Sequence, residues 1–263
     1  MMTATLPGID GLLLDMDGVL TVSWEPLPGA VVAFARLRAG GLPLRIVTNT
    51  TGRSRAAIAG GLRRHGFEIA DDEVLSAAVA AGAYLRRTWP GARVFLLGDA
   101  KVEDLPGVDL VGLDDDPDVV LLSGADESYR FATMNQVYRL LLGGAAFVTM
   151  HRTMAWFTSD GICLDAGAYV TGLERALGRS AVVTGKPSPE FFAAGLASLG
   201  IAADRVAMVG DDIDGDVLAA QAVGLTGILV RTGKFRPEAL ERAAGAPDRV
   251  VDSIVDVPGL LGL

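Results

Sequence analysis

The chain has 263 residues, of which 50% are hydrophobic, 21% charged and only 6% aromatic, enough for a sizeable core built mainly from Ala, Val and Leu. Its 32 acids against 23 Lys and Arg give a formal net charge of -9, which argues against a nucleic-acid partner or an anionic membrane surface. A single cysteine, Cys163, excludes an intrachain disulfide and a thiolate metal cluster, and the two histidines, His65 and His151, lack ligand-spaced neighbours. With no apolar run of about 18 residues and no basic, then apolar, leader at the amino terminus, the expectation is a cytoplasmic protein without a membrane anchor.

In chain order, the apolar run Ile9 to Leu14, broken only by Asp10 and Gly11, predicts a buried strand that stops at Asp15-Met16-Asp17-Gly18. Thr21 to Pro28 reads as a loop because Pro26 and Pro28 disfavour regular structure. Helical spacing of Val31, Val32, Ala35 and Leu37 predicts a helix from Gly29 to Ala39, closed by Gly40-Gly41. Leu42 to Val47 is a second strand, ending in Thr48-Asn49-Thr50-Thr51-Gly52, so the first 50 residues form a parallel βαβ unit. That arrangement brings the Thr48 end beside the Asp15 end. Ser54 is a candidate cap for a helix running to about Arg64.

Between Ala77 and Leu177 the pattern predicts helices at 77–87 and 131–142 and strands at 93–97, 118–122 and 145–150. Trp156 to Asp165 suggests an irregular hairpin around Asp160-Gly161, and Asp114-Asp115-Asp116 a solvated loop. Then come a strand at 181–184 meeting Gly185-Lys186-Pro187, a helix opened by Pro189 and running to Leu199, and a strand at 206–209 ending in Gly210-Asp211-Asp212-Ile213-Asp214-Gly215-Asp216. A helix to Ala222, a strand at 227–230 followed by Arg231-Thr232-Gly233-Lys234, a short strand near Val250 and a terminal helix complete the chain. Arg231 and Lys234 read most simply as surface charge. The fold class is therefore α/β: a Rossmann-like, doubly wound parallel sheet (1–76 plus 178–263) with a second α/β module (77–177) inserted into it.

Four predicted strands deliver polar residues to one edge: Asp15 and Asp17, Thr48 and Asn49, Lys186, and Asp211 with Asp212 and Asp216. Paired carboxylates repel one another and are costly to bury, and a hard divalent cation relieves both problems. Acids, a hydroxyl and an ammonium together suit phosphoryl transfer, in which a metal and a lysine neutralise the phosphate while a carboxylate attacks. Taken singly, each has a plainer reading: a turn for Asp-Gly, a loop lysine for Lys186, a helix cap for Asp211 and Asp212. Their joint occurrence outweighs those readings.

The set resembles the haloacid dehalogenase superfamily of phosphohydrolases over nearly the whole chain: Asp-x-Asp-Gly-Val at 15–19, Thr48, Lys186 and Gly-Asp-Asp at 210–212 appear in family order. The insertion between the second and third motifs, with the Val-Thr-Asn-Thr, Gly-Lys-Pro-Ser-Pro and Gly-Ile-Leu-Val-Arg-Thr-Gly-Lys runs, is similar to the class IIA subgroup and its large α/β (C2-type) cap. The resemblance implies a Mg²⁺-dependent phosphatase acting on a small phosphorylated metabolite. Asp15 would be nucleophile and metal ligand. Asp17 would serve as acid and then base, with its backbone carbonyl on the metal. Met16, Thr48 and Asn49 would contact the phosphoryl group together with Asp15, Asp17 and Lys186. Lys186 would neutralise charge, Asp211 would be the second carboxylate on the metal, and Asp212 and Asp216 would stand behind these ligands. A homodimer through the cap is also implied by relatives. Two alternatives stay open: a phosphoacceptor switch, which lacks a carboxylate equivalent to Asp17, and a catalytically weak binding protein that keeps the fold. Neither Gly185-Lys186 nor Gly233-Lys234 fits the P-loop pattern.

Overall fold

The computed structural model describes residues 6–158 and 161–263, which divide into two compact units: 6–48, 55–75 and 186–263 form the first, and 49–54, 76–158 and 161–185 the second. The first unit is built on a six-stranded sheet: β1 (Gly11–Asp15), β2 (Leu44–Thr48), β3 (Val74–Ser76), β4 (Val206–Gly210), β5 (Thr226–Val230) and β6 (Arg249–Val251). Their order across the sheet is β6-β5-β4-β1-β2-β3. β1 is central and pairs in parallel with β4 on one side and β2 on the other, and β4–β5 and β5–β6 are parallel as well.

Strands buried on both faces read as continuous apolar runs, and β1 and β4 are buried at every position. Leu12 and Leu14 face a core shared with Phe34 and Leu37 of the helix Ala30–Ala39 and Ile58 and Leu62 of the helix Arg55–Arg64. Leu13 points the other way, against Gly195 of the helix Pro189–Leu199. The period of two thus explains why helices cover both faces. Each such leucine contributes roughly 1.5–3 kcal/mol on burial.

The second unit carries its own five-stranded sheet, in the order Val182–Val183, Ala146–Thr149, Val119–Leu122, Arg93–Leu97, Asp109–Leu110, with all neighbouring pairs parallel. Val120, Leu122 and Phe147 pack with Val137, Leu141 and Val170 on one side. Leu121 and Val148 pack with Ala77, Ala81 and Leu85 on the other.

Three local features depart from expectation. Thr21 to Pro28 contains a small hairpin rather than an irregular loop: Thr21–Val22 pairs antiparallel with Glu25–Pro26. Its turn places Ser23 and Trp24 at φ 50 and 71, a left-handed pair that suits a two-residue hairpin. Asp109–Leu110 and Val74–Ser76 are strands too short to announce themselves by periodicity. The helix expected after Gly210 begins as a wide turn over Ile213–Leu218, in which Val217 N–H reaches back to Asp212 O at 3.2 Å. The hairpin expected at Trp156 to Asp165 has its strands at Ala155–Thr158 and Gly161–Leu164, paired antiparallel; Ser159 and Asp160 lie outside the described residues. Among the described residues no helix is long and apolar enough to cross a membrane.

Candidate active site

Parallel register sets the geometry. Asp15 pairs with Val47, Leu14 with Val209 and Gly210 with Leu229, so the carboxyl ends of β1, β2 and β4 lie side by side. In open α/β sheets this edge is where ligands bind. It carries Asp15, Thr48, Lys186, Asp211 and Asp216, all buried. All of these, with Asp17 and Asp212, belong to the first unit, whereas Asn49 belongs to the second.

Lys186 joins two of the acids. Its Nζ donates to Asp15 Oδ1 at 2.5 Å and lies 2.8 Å from Asp216 Oδ1. Burial alone would push this ammonium down, but the two carboxylates hold it well above the ordinary lysine value. It is charged at any pH of interest. Carboxylate oxygens of Asp15, Asp211 and Asp216 all lie within 4.8 Å of one another. Three carboxylates against one ammonium leave two negative charges uncompensated in a buried place. The strain shows in their titration: burial raises Asp15 even though Lys186 opposes it, and raises Asp211 and Asp216 to about 6 each.

A divalent cation fits this arrangement. Among the described residues only two buried side-chain N or O atoms have no hydrogen-bond partner, and one is Asp211 Oδ1. Leaving such an atom unpaired costs about 1–3 kcal/mol or more. A hard cation takes oxygen ligands of this type and removes both the orphaned atom and the excess charge. Asp15, Asp211 and Asp216 are the residues that would hold it.

Glycines admit the acids to so small a space. A Cβ on Gly210 would run into the Asp216 side chain, so the last residue of β4 leaves room for Asp216 to fold back across the strand end. Gly18, at φ 92, lies so close to the Asp211 carboxylate that a Cβ there would overlap Oδ2. The backbone therefore turns sharply after Asp17 in a conformation that side chains rarely adopt.

The remaining residues separate into distinct places. Asp17 is half-buried; burial raises its carboxyl, while the charges of Lys234 and Lys186 and a hydrogen bond with Thr21 pull it down. It lies outside the three-carboxylate cluster formed by Asp15, Asp211 and Asp216. Met16 donates its N–H to Val47 O at 3.2 Å and buries its side chain in the core. Asp212 caps the wide helical turn, accepting from Asp214 N at 3.1 Å and Gly215 N at 2.9 Å, while its own N–H reaches Asp216 Oδ2 at 3.4 Å. The two acids grouped together in the sequence thus part company: Asp216 enters the cluster and Asp212 organises the turn that delivers it. Lys234, read from sequence as plain surface charge, donates its backbone N–H to Asp211 Oδ2 at 2.6 Å. Side-chain pattern carries no signal for that contact, because the donor is main chain.

The family model for haloacid dehalogenase-like hydrolases matches residues 12–106, and a second, HAD-hydrolase-like model matches 183–257. The human phospholysine phosphohistidine inorganic pyrophosphate phosphatase is 36% identical, the match covering 97% of this chain and 95% of that protein. The human haloacid dehalogenase-like hydrolase domain-containing protein 2 is 35% identical over 93% of this chain and 92% of its own. Among solved structures, p-nitrophenyl phosphatase from Archaeoglobus fulgidus superposes with a TM-score of 0.88 at 32% identity, covering 96% of this chain and 99% of that one. NagD from E. coli K-12 gives 0.86 at 26% identity, covering 94% and 98%.

Proposed function

The chain belongs to the haloacid dehalogenase-like hydrolase family, and on that premise we propose that this phosphatase hydrolyses a small phosphate monoester through an aspartyl-phosphate on Asp15, with Mg²⁺ as its cation. The observation that supports this reading most is the buried Asp15–Lys186 pair beside a carboxylate cluster with an orphaned Asp211 oxygen. Phosphoamide and pyrophosphate bonds fall within the same chemistry, and the human relative named above is a phosphatase for substrates of that kind.

The roles follow from position. Asp15 Oδ attacks phosphorus, and the ester oxygen leaves with the proton that Asp17 holds. Water then attacks the acyl phosphate, Asp17 takes its proton, and phosphate and free Asp15 are released. The two acids need opposite starting states, one ionised and one protonated. Burial raises both carboxyls, and their partners differ: Asp15 takes a direct hydrogen bond from the Lys186 ammonium at 2.5 Å, which favours its ionised form, whereas Asp17 has the neutral Thr21 hydroxyl as its side-chain hydrogen-bond partner. Lys186, tied to Asp15 and Asp216, is placed to offset the charge that develops on the phosphoryl oxygens. Thr48, at the end of β2, offers a hydroxyl at the same edge. A bound divalent cation would supply Lewis-acid polarisation of the phosphoryl group. The second unit is read as the cap that selects the substrate. A switch that stores phosphate has no use for an acid–base at position 17, which favours turnover.

The test is hydrolysis of an aryl phosphate in Mg²⁺ by the unsubstituted chain, Asp15→Asn and Asp17→Asn. Both variants should lose turnover while the second keeps Mg²⁺ binding. Near-full activity of Asp15→Asn would refute the mechanism.

A further inference from the structure

The turn after β5 makes three contacts that neither the nucleophile nor the acid–base role requires. Thr232 Oγ1 donates to the carbonyl oxygen of Gly18, the residue that follows Asp17. Lys234 N–H donates to Asp211 Oδ2 at 2.6 Å. Between them Gly233, at φ 59, lies against both Gly18 and Asp211: a Cβ placed on it would overlap Asp211 Oδ2 and the Gly18 Cα. The carboxylate of Asp211 is thus wedged between two glycines that both need positive φ.

These contacts divide the two oxygens of Asp211. Oδ2 is occupied by a main-chain donor, and Oδ1 is buried and unpartnered, within the 4.8 Å cluster of Asp15 and Asp216 oxygens. A carboxylate free to rotate would present either oxygen. One clamped at Oδ2 presents a fixed Oδ1, which is how residues behind a metal ligand set its orientation. Through Gly18 O the same turn also fixes the Gly18–Val19 peptide, one residue past Asp17.

Resting on the metal-dependent reading above, we propose that Thr232, Gly233 and the Lys234 peptide N–H are the positioning element of the cation site, aiming Asp211 Oδ1 at the metal and holding the Asp17–Gly18 turn against it. None of the three groups touches the reacting atoms; each acts through Asp211 or Gly18. Gly233 is needed for close approach and Thr232 for its hydroxyl.

The experiment measures Mn²⁺ binding to the full chain, stripped of metal by chelation, through the electron paramagnetic resonance signal of free Mn²⁺. The samples are the unsubstituted protein, Thr232→Val, Thr232→Ser, Gly233→Ala and Asp211→Asn. Thr232→Val and Gly233→Ala should each weaken Mn²⁺ affinity by about 10-fold or more, the usual scale for losing a ligand-orienting contact. Thr232→Ser, which keeps the hydroxyl, should restore it. Unaltered Mn²⁺ affinity in Thr232→Val or in a folded Gly233→Ala overturns the proposal; if Gly233→Ala does not fold, the Val and Ser pair decides alone. Binding abolished by Asp211→Asn but untouched by Thr232→Val overturns only the positioning role. An unsubstituted chain that binds no Mn²⁺ overturns the metal reading itself.

Discussion

The two sheets of this protein end in opposite ways. At the carboxyl edge of the first unit's sheet, Asp15, Asp211 and Asp216 crowd together, Lys186 pairs with Asp15 and Asp216, and Asp211 keeps an unpaired oxygen. At the corresponding edge of the second, polar groups are used up by structure. Ser123, just past the strand Val119–Leu122, donates to Leu97 O and accepts from Ala100 N, each at 3.1 Å. Tyr129 OH donates to Ser123 O at 2.6 Å, and Asp99 accepts from Thr51 at 2.6 Å. Asp165 accepts from Ala166 N at 2.7 Å and Ala125 N at 2.9 Å, capping the helix Ala166–Leu177. Buried polar groups that are all satisfied hold a fold together; a cluster left with surplus charge waits for something to bind.

The largest expected effect of this difference is catalytic. Asp15→Asn should lower turnover of an aryl phosphate in Mg²⁺ by about 10⁴-fold or more, the scale for removing a nucleophile. Its urea midpoint without metal should hold or rise, because one buried charge is gone; a large fall there would mean that Asp15 serves stability. Lys186→Met should damage both properties, since it strands two buried carboxylates. Chemical denaturation without metal should show a loss of about 3 kcal/mol, the range for breaking a buried pair from one side.

The pH dependence follows from the raised acids. Asp211 and Asp216 titrate near 6 in the folded chain, mainly through burial, against 3.8 as ordinary carboxyls. The folded state therefore holds more protons than the unfolded one between those values. Their contribution to stability is full below about pH 4 and lost as pH rises through about 6. Metal-free melting temperatures should decline across that window, and saturating Mg²⁺ should cancel the decline above it, because it binds the ionised acids. A metal-free chain that gains stability from these acids over the same window would contradict their crowding. The smallest effect belongs to the second unit: Asp165→Ala removes a helix cap and should cost about 1–2 kcal/mol in urea denaturation.

Much of this contrast was legible in the residues. Apolar runs that stop at an acid or hydroxyl mark β1, β2 and β4, and parallel βαβ logic by itself places Asp15, Thr48 and Asp211 at one edge. What escaped depends on backbone geometry that side-chain type does not encode. The Thr21 to Pro26 hairpin needs left-handed Ser23 and Trp24, neither a residue that advertises such a turn. Asp212 and Asp216 look equivalent as letters. Only the wide turn after Gly210 sends one to the helix cap and the other to Lys186. The contact from Lys234 is a peptide N–H, which any residue could present.

The most direct measurement is acid-quenched turnover of an aryl phosphate in Mg²⁺, followed by peptide mass analysis. The proposed chemistry predicts one phosphoryl group on the peptide that carries Asp15, absent from Asp15→Asn. Full-rate hydrolysis by Asp15→Asn, with no phosphorylated Asp15 in the unsubstituted chain, would contradict it.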